Sequence, residues 1–154
     1  MSYEGLDTAR IVAEYERRSR EIPSDYYSLG KPANLLMQVQ TVRSCIAALN
    51  KAGLFPLHGK RVLDVGCGSG SGLLEFVQWG ADPSDLAGID LMPDRLEASR
   101  RKIPQADLHL GSAADLPWPD ESFDIVSHFQ VFMNMSDPAL KRAVAAEMLR
   151  YYGW

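Results

Sequence analysis

Arg61 to Gly72 reads R-V-L-D-V-G-C-G-S-G-S-G, and an acidic residue, Asp90, closes the next apolar run. The short apolar segment around Asp64 has the character of a strand buried on both faces. It runs straight into glycine at every second position, 66, 68, 70 and 72. Glycine has no Cβ and reaches positive φ, so such a loop lets backbone come close to a ligand. A carboxylate at the tip of the neighbouring strand can accept from both hydroxyls of a ribose. The two features together predict a nucleoside site. The dinucleotide fingerprint G-x-G-x-x-G, laid on Gly66 and Gly68, needs glycine at 71, where this chain has Ser71. That disfavours a nicotinamide-dependent dehydrogenase. The spacing here is D-x-G-x-G-x-G, Asp64 to Gly70.

Outward from this loop the periods alternate. Gly72–Trp79 reads as helix, Leu86–Leu91 as strand, Pro93–Lys102 as helix with Pro93 at its first position, and Leu108–Ala113 as strand. A proline-broken loop precedes a fourth strand, Phe123–Phe129. Asp137 and Pro138 then cap and open a last helix. Strands alternating with helices imply an α/β fold with a parallel sheet and right-handed crossovers. Upstream, two helices are expected, at Thr8–Glu21 and Leu35–Lys51, the second with Asn34 as N-cap and Gly53 closing it. Its stripe of Leu35, Val39, Val42, Ile46 and Leu49 is expected to pack on the sheet. The organisation predicted is residues 1–57 as N-terminal helices with a lid role in view, and residues 58–154 as an α/β half-domain.

Sixteen basic against 20 acidic residues leave a net charge of -4. That argues against a large phosphate-binding surface, so no nucleic-acid partner is expected. The basic cluster Arg95, Arg100, Arg101 and Lys102 reads more simply as a solvated helix face. Cys45 and Cys67 make no metal or disulfide pattern, so no metal is expected and a reducing compartment is the simplest fit. No apolar run reaches membrane-spanning length, and the start M-S-Y-E-G-L-D-T lacks a signal-peptide core. These readings predict a cytoplasmic protein with no membrane partner.

Four segments carry a resemblance: V-L-D-V-G-C-G-S-G (Val62–Gly70), G-I-D-L (Gly88–Leu91), A-A-D-L-P-W-P-D-E-S-F-D-I-V (Ala113–Val126) and A-A-E-M-L-R (Ala145–Arg150). In order and spacing the chain resembles class I S-adenosylmethionine-dependent methyltransferases of the type 11-like kind, over about Lys60 to Arg150. The resemblance implies a Rossmann-like three-layer sandwich with its C-terminal strands missing. It implies S-adenosylmethionine as cofactor and a small-molecule acceptor. The alternative is a catalytically inactive cofactor-binding or interaction fragment. The closing Tyr151-Tyr152-Gly153-Trp154 looks foreign to the family, as from a truncated or shifted reading frame, or else marks a natural short paralogue. Loss of the strand beyond the fourth would leave Phe123–Phe129 as an edge through which copies self-associate.

Carried onto this sequence, the resemblance lays Gly66, Gly68 and Gly70 against the methionine part of the cofactor. Asp64 either supports the loop or meets the amino group, or is purely structural. Asp90 holds the ribose, and Leu91 and Met92 flank the adenine. Ser112 stands where the family commonly has an acidic adenine ligand, and Ala113 supplies a backbone N–H. His128, Phe129 and Gln130 lie nearest the transferred methyl, beyond the carboxyl end of the fourth strand. His128 is the histidine placed to act as a base, His58 and His109 lying elsewhere; the other reading of His128 is structural. Tyr15, Tyr26 and Tyr27 are either an N-terminal lid or helix packing.

Overall fold

The computed structural model describes residues 3–152. The chain divides into two compact units, one comprising the chain through Val12 and from Leu57 onward, the other Ala13–Pro56. In the first, β1 (Val62–Val65), β2 (Leu86–Asp90), β3 (Asp107–Leu110) and β4 (Ile125–His128) form one sheet, ordered β3-β2-β1-β4. All three pairings are parallel, with Val62 level with Leu86 and Ile125, and Val65 with Ile89 and His128. Every residue of β1 and β2 is buried, the mostly apolar runs carrying Asp64 and Asp90 into the interior with them. The outer strands β3 and β4 are only partly buried.

Three helices lie wholly within this unit: α3 (Ser71–Gln78), α4 (Pro93–Lys102) and α5 (Pro138–Tyr151). Pro93 and Pro138 open α4 and α5, where a missing N–H costs nothing. Asp137 caps α5, its side chain accepting from Ala139 N–H. One face of the sheet, Leu63, Val65, Ala87 and Ile89, forms a core with Leu116, Trp118, Phe123 and Tyr151, and Met148 packs against it. Right-handed crossovers put α3 and α4 on the other face, α4 lying on β2 and β3. The order reverses at β1, which has β2 on one side and β4 on the other. Ligands of open parallel sheets bind at such a point, beyond the carboxyl ends of the strands.

Two sequence expectations change here. Leu108–Ala113 is strand only to Leu110, so Ser112 and Ala113 belong to a loop. Of the closing residues, Tyr151 and Tyr152 are integrated into the fold. Tyr151 is 1% exposed in the core, and its hydroxyl donates to the Leu116 carbonyl. Tyr152 forms a parallel bridge with Phe123. Gly153 and Trp154 lie outside the described residues.

α1 (Tyr3–Glu21) starts five residues earlier than its apolar pattern suggests, and its later turns belong to the second unit. There α2 spans Pro32–Lys51. Asn34 is not its N-cap: the helix opens at Pro32, and the Asn34 amide instead donates to the carbonyls of Tyr26 and Ser28. The helix ends in a Schellman turn, Gly53 N–H to Asn50 O and Leu54 N–H to Leu49 O, with Gly53 at φ +68°. The apolar stripe is buried only toward this end. Leu49 is buried, whereas Leu35 and Val39 are about half exposed, so the stripe does not pack along its whole length. Tyr26 and Tyr27 are exposed and meet edge to face.

Candidate functional site

The loop after β1 is fastened from two sides. Gly66 N–H and Cys67 N–H both donate to Ile89 O of β2, at 2.8 and 3.0 Å. Gly68 N–H donates to Asp90 Oδ2 at 2.8 Å, and Met92 N–H to Asp90 Oδ1 at 2.9 Å. Asp90 is thus buried and oriented at the tip of β2, each oxygen holding one backbone N–H. Each carboxylate oxygen still has acceptor capacity, which is what a vicinal diol needs.

The glycine spacing has a second cause that lies in α4. A Cβ on Gly68 would stand 2.4 Å from Arg95 Nη2, and a Cβ on Gly70 would stand 2.5 Å from Ser99 Oγ. Lys102 Nζ donates to Ser69 O at 2.8 Å. Arg95, Ser99 and Lys102 are spaced i, i+4, i+7 and share one helix face, which cradles residues 68–70. Gly70 is also the N-cap of α3 at φ +81°, so any side chain there is strained as well as crowded. Arg95 and Lys102 are therefore loop-holding residues, and Arg100 donates to Leu108 O at 3.0 Å. Of the four basic residues read as a solvated face, Arg100, Arg101 and Lys102 are exposed, Arg101 in a pair with Glu97, and Arg95 is half-buried.

Asp64 lies under the loop, 2% exposed. Ser127 Oγ is 3.1 Å from Asp64 Oδ1 and 3.2 Å from Leu63 O. Burial pushes the Asp64 carboxyl up to about 7, reinforced by the charges of Asp90 and Glu75 and opposed by Ser127. Burial also raises Glu75, on α3. The site thus gathers the carboxyl groups of Asp64, Asp90 and Glu75, and burial holds Asp64 and Glu75 toward the neutral form. Cys67 is buried and its thiol pushed up by desolvation and then by Asp64 and Asp90, so it is inert. Its Sγ fills the space that a Cβ on Gly88 would need.

At the end of β4, Phe129 and Val131 press on the same loop. A Cβ on Gly72 would meet Phe129 Cε2 at 2.8 Å and Asp64 Oδ2 at 2.9 Å; one on Gly66 would meet Val131 Cγ2 at 2.5 Å. His128 is exposed, its ring edge-on to Phe132 at 4.8 Å. Partial desolvation holds its pKa below the ordinary value, so it is unprotonated at neutral pH. Leu91 follows directly on Asp90. Ser112 Oγ accepts from Ala114 N–H at 3.2 Å, and Ala113 packs against the core. His109 is occupied with Asp107 on β3. No group of three or more His, Cys, Asp or Glu among the described residues could hold a metal ion. No helix of the described residues is long and apolar enough to cross a membrane.

The structure thus brings Asp64, Gly66, Gly68, Gly70, Asp90 and Phe129 into one neighbourhood, with His128 at the adjoining strand tip. The sequence reading missed Arg95, Ser99, Lys102, Glu75, Ser127 and Val131. The spacing of 95, 99 and 102 was a usable signal for the first three. Nothing local marked the others.

A model of the methyltransferase domain matches residues 62–152, more than half of the chain and including Tyr151 and Tyr152. The chain is 42% identical over 72 residues to the fatty-acid O-methyltransferase of Mycolicibacterium smegmatis, covering 46% of this chain and 26% of that protein. It is 33% identical over 117 residues to the demethylmenaquinone methyltransferase of Renibacterium salmoninarum, covering 76% and 46%. The chain spans less than half the length of the curated relatives it matches. Among solved structures, the phosphoethanolamine N-methyltransferase 1 of Haemonchus contortus, in complex with phosphoethanolamine and S-adenosylhomocysteine, overlays with a TM-score of 0.67. It is 15% identical and covers 99% of this chain and 31% of that one, a likeness of fold.

Proposed function

We propose, for a chain that belongs to the methyltransferase domain family, that its α/β unit binds S-adenosylmethionine and serves methyl transfer to a small-molecule acceptor. The observation that carries this reading is Asp90, fixed by Gly68 N–H and Met92 N–H with acceptor capacity left for a ribose diol. The rest of the site fits the same group. Backbone at Gly66 and Gly68, at the carboxyl end of β1, would lie against the methionine part of the group. Asp64 and Glu75 supply negative charge where the donor carries an ammonium and a sulfonium. Leu91 and Met92 would flank the adenine, and Ser112 with the Ala113 N–H would stand at its amino group. Gly70 serves chiefly to seat α3 and α4.

The cofactor, when bound, supplies a methyl carbon already activated by its sulfonium. The protein has little left to do beyond holding donor and acceptor in line, and proximity supplies much of the rate. Phe129 borders the methyl end. His128, unprotonated at neutral pH, accepts the acceptor's proton where the nucleophile carries one. An apolar acceptor is favoured, because the relatives named above act by their names on a fatty acid and on demethylmenaquinone.

Calorimetry with S-adenosylmethionine, S-adenosylhomocysteine and NAD tests the donor reading. Binding of either sulfur nucleoside, weakened by roughly 1–3 kcal/mol in Asp90→Ala, is expected from the loss of buried hydrogen-bond partners. Binding of NAD alone would overturn it.

A further inference from the structure

Of the three buried carboxylates among the described residues, Asp64 and Asp90 belong to the donor site, and Asp7 does not. Asp7 lies on α1 and is 6% exposed. Its Oδ2 accepts from Ser136 N–H and Asp137 N–H, both at 3.0 Å. Its Oδ1 accepts from Ser136 Oγ at 2.7 Å and from Arg10 Nε at 2.8 Å. Burial alone would raise this carboxyl. The hydrogen bonds from Asp137, Ser136 and Arg10 outweigh it and hold the group well below the usual range, so it stays charged.

The network continues toward the donor site. Arg10 also donates to Asn134 O, and Asn134 Nδ2 donates to Gln130 O at 3.0 Å. Gln130 has φ +66°, a left-handed conformation that is strained for a residue with a side chain. Such strain persists only where the surroundings over-determine it. Gln130 is flanked by Phe129 and Val131, the two side chains that press on Gly72 and Gly66. A strained turn therefore sets both contacts to the Gly loop, and the bonds that hold it lead back to α1.

We propose that Asp7 and Arg10 are positioning residues for the donor site, acting through Asn134 on the strained turn at Gln130. The inference rests on the donor-site reading above. It makes docking of the first turns of α1 and donor binding reciprocal: each favours the other by the same factor.

Hydrogen exchange followed by mass spectrometry on Asp7→Asn tests this without any ligand. Exchange over residues 129–137 is expected to quicken while β1 and β2 stay protected. Unchanged exchange over 129–137 would overturn the inference. Affinity for S-adenosylhomocysteine is expected to fall about five-fold or more, within the usual range of coupling between sites. Adding Gln130→Gly should recover most of that loss, because glycine accepts positive φ without strain. Unchanged affinity, or no recovery in the double variant, would mark Asp7 as merely structural. If Asp7→Asn does not fold, Ser136→Ala, which removes only the hydroxyl bond to Asp7, is expected to shift both readouts the same way, and no shift would overturn the inference. A wild-type chain that binds neither sulfur nucleoside would overturn the donor reading instead, leaving the exchange experiment to judge the clamp.

Discussion

A carboxyl that is 2% exposed, with two other carboxylates nearby, keeps its proton to higher pH than a free one. For Asp64 the folded value of about 7 stands above an unfolded value of about 3.9. The folded state binds this proton more tightly, so the stability it contributes is fully present below about pH 4 and lost as pH rises toward 7. A bound cation has the opposite preference. It favours the ionised Asp64, so S-adenosylmethionine affinity is expected to rise from pH 6 to pH 8, and Asp64→Asn to flatten the rise. Calorimetry at several pH values checks this; an unchanged slope in the variant would place the titration elsewhere. The glycines offer a second test at this scale. At Gly68 a new Cβ meets the tip of Arg95, a flexible side chain that can swing away. At Gly70 it meets Ser99 Oγ at 2.5 Å and the Ser99 Cα at 3.3 Å, on a helix that cannot yield easily. Both substitutions pay about 1–2 kcal/mol for positive φ. Gly70→Ala is therefore expected to lower the urea midpoint more than Gly68→Ala, and the reverse order would show that the loop is braced by Arg95.

The elements differ in how openly the sequence announces them. β1, β2 and α4 are legible because their signals are local: short, mostly apolar runs, glycines at the strand exit, and Pro93 at a helix start. The place of Asp90 at the tip of β2 was legible for the same reason. Tyr151 was not. Its residue type looked out of place, and what makes it part of the core is the distant Leu116 carbonyl and the sheet face formed by Leu63 and Ile89. Gly88 and Gly70 were legible as glycines but not for their partners, Cys67 and Ser99, which only tertiary packing brings to them. The stripe of α2 erred the other way: its period is right, yet Leu35 and Val39 stay about half exposed, because periodicity sets a face and not its cover. Tyr151 also gives a measurable consequence for α5. Tyr151→Ala removes a buried aromatic ring and is expected to cost about 3–5 kcal/mol, Tyr151→Phe about 1–2 kcal/mol. Urea unfolding of the two variants would check this, and a silent Tyr151→Ala would remove the residue from the core.

Among the described residues, the sheet ends at β4. This strand pairs with β1 on one side, and its Ile125–His128 stretch holds neither lysine nor proline, the residues that discourage edge pairing. The edge is partly protected near its start. Glu121 N–H and Phe123 N–H donate to Arg150 O and Tyr151 O, and Tyr152 bridges Phe123. Two routes to self-association follow from an edge of this kind, strand pairing and exchange of the last helix. Exchange would have to withdraw Tyr151 from the core and break the bond from Leu116 N–H to Glu147 Oε2 at 3.0 Å. Pairing gives up neither. We therefore predict that copies of this chain associate by pairing along Ile125–His128, with α5 kept in place. Light scattering across a dilution series should find a species larger than the monomer that dissociates on dilution. Its amide exchange should be slowed in β4 and unchanged in α5. A monodisperse monomer throughout the series would mean that the cover at Phe123 suffices, and protection gained in α5 would point to exchange of that helix.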